Sequence, residues 1–233
     1  RMRARGAGDY GAYAAVLRDD PAEYDALLDA LTINVTHLYR DRDVWEGVAE
    51  RVLPALWASP APTLLTWVAG CASGEEAYTV ASLWHLFGEG MGVGARLDRL
   101  RIVATDLDPG ALAVAREGRY GRAAFRDTPV HVRHRYFTPG EPAAALPVLR
   151  DLITFERGDL LSTAPAPGSV HLITCRNVLI YFDRPSQDTV FQRFHEALAP
   201  GGFLMLGKAE SLLGASRDLF DAVDPRRRLF RRR

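Results

Sequence analysis

The stretch Leu64-Leu65-Thr66-Trp67-Val68-Ala69-Gly70-Cys71-Ala72-Ser73-Gly74-Glu75-Glu76 decides how the rest of the chain is read. Leu64, Leu65, Trp67, Val68 and Ala69 make an apolar run short enough for a buried strand. The run stops at Gly70 and passes through small residues to Gly74. Beyond it, apolar residues at 77, 80, 81, 83 and 84 recur at helical spacing. A strand, a small-residue turn and a helix form a corner where helix amides face a ligand and small side chains let it approach the backbone. Two readings of the corner stand side by side. Ser73 followed by Glu76 fits an S-x-x-E capping box, in which Glu76 only closes its own helix start. The same loose glycine pattern also fits a nucleotide-type site.

A chain of 233 residues has room for one sizeable α/β domain and a small appendage. Lys+Arg and Asp+Glu both number 29, so no global field draws nucleic acid, and none is expected as a partner. The basic tail Arg226–Arg233 alternates around Leu229 and Phe230 and reads as an edge strand with charged ends. Two cysteines, Cys71 and Cys175, are too few for a disulfide scaffold or a zinc cluster, and no metal is expected. No apolar run approaches the ~20 residues that span a bilayer, and no signal peptide is visible. The chain reads as cytoplasmic, without membrane insertion, and as a monomer.

Residues 1–33 read as helical. Asp20-Pro21-Ala22-Glu23 supplies an N-cap, a proline at the first helical position and an acidic residue in the first turn. A polar-studded link follows, Ile33 to Asp41, with Asn34, Thr36 and Arg40 set between apolar neighbours, and then a helix over Val44–Trp57. After the opening strand come strands at Leu100–Thr105, Leu152–Phe155, Val170–Thr174 and Phe203–Leu206. Helices alternate with them, the last from Ser186 to Leu198. Asp108-Pro109 starts the helix after the second strand, so Asp108 is its cap and Asp106 is left to accept from ribose hydroxyls. The acid lies well beyond the ~20 residues of a nicotinamide-binding unit, which argues against a dehydrogenase. Alternating strands and helices predict a doubly wound, mainly parallel sheet, with ligands beyond the carboxyl ends of its strands. Gly70, Asp106, Asp159 and Arg176-Asn177 all fall there.

With NVTHLYRD, GCASGEEAYTVA, ATDLD, GDLL and CRNVLIYFD in that order, the chain resembles the chemotaxis receptor methyltransferases, the CheR family. The resemblance covers roughly residues 20–233. It implies a seven-stranded class I methyltransferase sheet, an N-terminal helical region over 1–42, and a methyltransferase domain over 43–233 with a small β-subdomain inserted at about 130–156. It also implies S-adenosylmethionine as cofactor, S-adenosylhomocysteine as product, and glutamates on the cytoplasmic helices of methyl-accepting chemoreceptors as acceptors. Carried over by motif, Asn34, Thr36, Arg40, Gly70, Glu76, Asp106, Asp159, Leu160, Arg176 and Asn177 surround the cofactor. Arg40 and Tyr181 lie by the reacting methyl. Departures from the family pattern are Leu38-Tyr39 for two phenylalanines, Ala72 and Ala77 in the glycine corner, Asp159 for asparagine and Lys208-Ala209 for His-Ser. The helical region and the insert are also short, which bears on receptor choice more than on catalysis.

The chemistry so implied needs no general base, because a glutamate of pKa ~4.3 is ionised at neutral pH. His37 and His85 therefore read as packing or surface residues. Two rivals are weighed beside this enzyme: a domain that senses S-adenosylmethionine without transferring methyl, and a methyltransferase for another acceptor.

Overall fold

The computed structural model describes residues 1–31, 36–92 and 96–233. Its central sheet is built from β1 (Leu64–Ala69), β2 (Leu100–Asp106), β5 (Ile153–Arg157), β6 (Val170–Cys175), β7 (Leu198–Leu206), β8 (Phe220–Asp224) and β9 (Leu229–Arg232). A separate two-stranded ladder pairs β3 (Arg119–Tyr120) with β4 (Ala143–Ala144). The sheet order is β5-β2-β1-β6-β7-β9-β8. The first five strands run parallel, and β9 is antiparallel to both of its neighbours. Five parallel strands carrying an antiparallel hairpin are the class I methyltransferase arrangement that the motifs imply.

Alternation along the strands explains why both faces are covered. In β1, Leu64 and Val68 face one core while Trp67 and Ala69 face the other. The first core is closed by α5 (Glu75–Gly90), through Ala77, Val80, Ala81 and Trp84, which are the apolar positions that the helical spacing picks out. Against the same core lies a helical stretch made of α3 (Arg42–Gly47), a wider π turn over Val48–Val52, and α4 (Leu53–Trp57). The sequence predicts one regular helix here. Pro54 lacks an N–H and its ring crowds the carbonyl four residues back, and the wider turn before it relieves both. The second core is closed by α9 (Arg184–Ala197), which Asp183 caps by accepting from the Ser186 amide, and by its Val190, Phe191 and Phe194.

At the N-terminus, α1 (Tyr10–Asp19) and α2 (Pro21–Leu31) form a pair, and α2 lies on α6 (Pro109–Glu117). Asp20 accepts from the amides of Ala22 and Glu23, as its place before Pro21 predicts.

Four expectations change. The excursion between α6 and β5 has a small β element, the β3–β4 ladder extended by a bridge between Phe137 and Ala145, but it begins at Arg119, ahead of the expected start near 130, and two short helices, α7 (Val130–Tyr136) and α8 (Pro147–Arg150), belong to it. Residues 153–156 pair with β2 in the main sheet and are not part of an insert, because Ile153 and Phe155 pack into the sheet core. The basic tail is a strand, but an interior one, since β8 takes the edge and Leu229 and Phe230 are both buried. Its arginines are spent locally: Arg231 on the Gly201 carbonyl, Arg232 on that of Leu198 and Arg233 on Asp221. Leu38 and Tyr39, expected in a linker, are buried in the sheet's core. Among the described residues no helix is long and apolar enough to cross a membrane.

One sheet contact titrates. His171 Nδ1 accepts from the Leu65 amide at 3.3 Å, and burial, with the Arg99 charge behind it, lowers the imidazole pKa. The unfolded chain takes up this proton near pH ~6.5 and the folded chain only at lower pH, so acidification favours unfolding across that window. We expect His171→Gln to flatten the fall in melting temperature between about pH 7 and pH 5 relative to the parent. Identical slopes in scanning calorimetry would remove His171 from the acid response.

Candidate active site

A cleft of about 490 Å³ opens beyond the carboxyl ends of β1, β2, β5 and β6, a size typical of cofactor sites. Thr36, Arg40, Gly70, Glu76, Asp106, Asp159, Leu160, Arg176, Asn177 and Tyr181 all line it. Residues read from separate motifs along the chain thus meet at one place. Asn34 lies outside the described residues.

The glycine corner is tied to Asp106. The Ala72 amide donates to Asp106 Oδ2 at 2.7 Å, and the Asp108 amide donates to Oδ1 at 3.0 Å. Asp106 is therefore not free, as the sequence suggests, but held by one amide on each oxygen. Each oxygen keeps a second lone pair. Burial raises its pKa, partly offset by the backbone amides of Asp108, Ala72 and Leu107. Asp108 caps α6 as expected, accepting from Gly110 and Ala111. Gly70 has φ 78, and a Cβ there would meet Val178 Cγ2 at 2.4 Å. Its bareness thus lets the β6 loop cross the end of β1.

The capping-box reading of Glu76 is corrected. Gly74, at φ 93, is the N-cap of α5 and makes no side-chain cap bond. That puts Ser73 outside the helix and Glu76 at its second position, one short of the box. Ser73 Oγ donates to Glu75 instead. Glu76 accepts from Arg176 Nη1 at 3.3 Å. Burial raises the Glu76 pKa against the lowering effect of that guanidinium.

Arg40 sits on a turn wedged between the sheet and the cleft. Its carbonyl accepts from Trp45 Nε1 at 2.9 Å and from Arg176 Nη2 at 3.0 Å. The preceding Tyr39 donates its amide to Thr79 Oγ1, and its hydroxyl shares a hydrogen bond with Ser82. A tyrosine in place of phenylalanine is thus accommodated, and burial pushes its pKa up to about 12. Arg176 itself turns inward: only 1% of its side chain is exposed, Nη2 donates to Asp41 and the Arg40 carbonyl, and Nη1 donates to Glu76. Asp159 Oδ1 accepts from the Leu161 amide, opening the turn that sets Leu160 against the cleft. Tyr181 stands at the mouth, 64% exposed.

Sequence reasoning missed Glu210. Its buried carboxylate accepts from the amides of Val178 and Leu179 on Oε1 and from Gly207 on Oε2. It thereby fixes the loop that presents Asn177, at φ 59, and Tyr181. The signal in the sequence is an acidic residue in the glycine-bounded segment Gly207–Gly214, next to the Lys208-Ala209 pair that departs from the family pattern. Glu210→Gln puts an amide N–H₂ against a buried N–H, and an unsatisfied donor costs ~1–3 kcal/mol. We expect a melting temperature lower by about 3–10 °C and weaker cofactor binding. A variant matching the parent in both would show that the loop holds itself.

With this geometry in view, comparison with known proteins decides the family. The model described as "CheR methyltransferase, SAM binding domain" matches residues 34–228. The chain belongs to the CheR methyltransferase family. A second model, the CheR methyltransferase all-alpha domain, matches residues 1–32. The two CheR models therefore meet earlier than the 42/43 boundary read from the sequence, in keeping with the burial of Leu38 and Tyr39 in the sheet domain. A chemotaxis protein methyltransferase of Listeria monocytogenes is 35% identical over 205 residues, 88% of this chain and 75% of that protein. One from Klebsiella aerogenes is 34% identical over 229 residues, 94% of this chain and 75% of that protein. An uncharacterized 104.1 kDa protein of Rhodobacter capsulatus is 37% identical over 233 residues, and the chain spans 24% of its length. As a member of the CheR family the chain is an S-adenosylmethionine-dependent methyltransferase.

Proposed function

We propose that the chain transfers methyl groups from S-adenosylmethionine to glutamate carboxylates on the cytoplasmic helices of methyl-accepting chemoreceptors, giving glutamyl methyl esters. The observation that carries the reading is one cleft at the ends of four parallel strands, where Glu76 and Asp106 line the interior and Arg40 and Tyr181 join them.

The residues fit the cofactor. Burial disfavours the charge on both Glu76 and Asp106, and a ligand with paired hydroxyls and a positive charge supplies what those carboxylates lack. Asp106 would accept from the ribose hydroxyls with its remaining lone pairs, Leu160 and Asp159 would border the base, and Thr36 and Asn177 would close the sides. When bound, S-adenosylmethionine supplies an electrophilic methyl group on sulfonium sulfur; a carboxylate oxygen bonds to it as the sulfur–carbon bond breaks. Arg40 orients that carboxylate through two parallel hydrogen bonds, a geometry lysine cannot match. Positioning and partial desolvation are the tasks left to the protein, since the nucleophile is already ionised. Tyr181, at the mouth, holds the acceptor from the other side.

The test is transfer of labelled methyl to the cytoplasmic fragment of a receptor from the same organism. Label on glutamate that base releases is the expected result. Tight S-adenosylhomocysteine binding with no transfer to any receptor would replace this reading with a cofactor-sensing domain.

A further inference from the structure

Arg40 lies between two residues in a conformation that side chains rarely adopt: Tyr39 and Asp41 both have φ 58. Such residues persist where their surroundings over-determine them. For Tyr39 the surroundings are the core contacts to Thr79 and Ser82. For Asp41 they are electrostatic. Asp41 is the N-cap of α3, yet its side chain makes no cap bond, although an aspartate there ordinarily accepts from the first turn. It turns instead to Arg176, whose Nη2 donates to its Oδ2 at 2.6 Å.

Arg176 is the hub of this contact. Its guanidinium stacks on Trp45, 5.1 Å from the ring centroid, and Trp45 and Arg176 both donate to the Arg40 carbonyl. Nη1 reaches Glu76 at 3.3 Å, longer than the Nη2 contact to Asp41. Asp41 is therefore the nearer counter-ion of a buried cation that also touches the cleft carboxylate. On the solvent side Lys208 approaches Asp41 at 3.5 Å but lies closer to Asp43, at 2.8 Å, and is half exposed.

We propose that Asp41 is a positioning residue for methyl transfer: through Arg176 it fixes the main chain that carries Arg40 and keeps Glu76 from being drawn out of the cleft. This rests on the reading that the cleft holds S-adenosylmethionine and that Arg40 meets the acceptor. Without the Asp41 charge, Glu76 is left as the sole carboxylate facing a buried guanidinium. Both then move: the carbonyl clamp on Arg40 loosens and Glu76 closes on Arg176.

Asp41→Asn tests this directly, because asparagine has the same shape and tolerates a left-handed backbone. Three readouts are taken on folded protein: S-adenosylhomocysteine affinity by calorimetry, and kcat and acceptor KM with the receptor fragment. We expect kcat to fall about 10²-fold with acceptor KM within about threefold, and affinity to weaken about tenfold. Arg176→Lys, which keeps the charge but loses the fork, is expected to reproduce the pattern, and it carries the test if Asp41→Asn does not fold. Lys208→Met is expected to stay within about threefold of the parent. Folded Asp41→Asn with parental kcat and affinity would overturn the proposal. So would an equal loss in Lys208→Met, which would assign the effect to surface charge. If the parent binds S-adenosylhomocysteine but methylates no receptor, the proposed function falls, and the affinity of Asp41→Asn alone decides the role of Asp41.

Discussion

Arg40→Ala is expected to lower methyl transfer to a receptor fragment by about 10²–10³-fold, the usual cost of removing one preorganised charge from a reacting centre. S-adenosylhomocysteine affinity should change by less than about threefold, under ~1 kcal/mol. The contrast follows from where the residue sits. Its main chain is clamped by Trp45 and Arg176, so truncating the side chain leaves the turn in place. The cleft also keeps the carboxylates of Glu76 and Asp106. What is lost is the group that aims the acceptor, and that loss falls on turnover. Arg40→Lys should restore only a small part, since one ammonium cannot make the two parallel bonds. Calorimetry and initial rates on the same preparation check both numbers. Parallel losses of affinity and rate would move Arg40 from the acceptor to the cofactor.

Asp106→Ala is expected to do the reverse. Hydrogen bonds to a charged group contribute ~1.5–3 kcal/mol each, so loss of the ribose contacts should weaken cofactor binding by about 10²-fold or more. Part of that loss is indirect, because Ala72, at φ 46, donates its amide to the same carboxylate. Saturating cofactor should recover most of the turnover, which loss of Arg40 does not allow. A pH signature accompanies this. Burial holds the Asp106 pKa above the ordinary carboxylate value, and binding requires the ionised form. Cofactor affinity should therefore begin to fall at a higher pH, on acidification, than an exposed aspartate would dictate. Parental affinity in Asp106→Ala would rule out the ribose contact.

Strand ends were the most legible part of the site. Apolar runs stop at Gly70, Asp106 and Cys175, and parallel connectivity obliges those stops to share one edge of the sheet. The caps at Asp20 and Asp108 follow from local chemistry alone, and each is observed. Three features were not legible. Glu76 looks like a cap because the spacing fits, yet a left-handed glycine starts the helix one residue too late for the box. Asp41 and Tyr39 adopt backbone conformations that no propensity favours and that only distant contacts sustain. Glu210 lies far along the chain from the amides it holds, and sequence separation hides such a bond. Each is a tertiary decision that overrides a local preference.

The position of β9 bears on how the protein is made. The strand that comes last of the seven in sequence lies between β7 and β8, and β8 touches the sheet only through it. A ribosome therefore delivers β8 before there is anything for it to pair with. Until Leu229–Arg232 emerges, the nascent chain carries β7 as a bare, sticky border, the kind of surface that holdase chaperones cover and that invites aggregation when they are scarce.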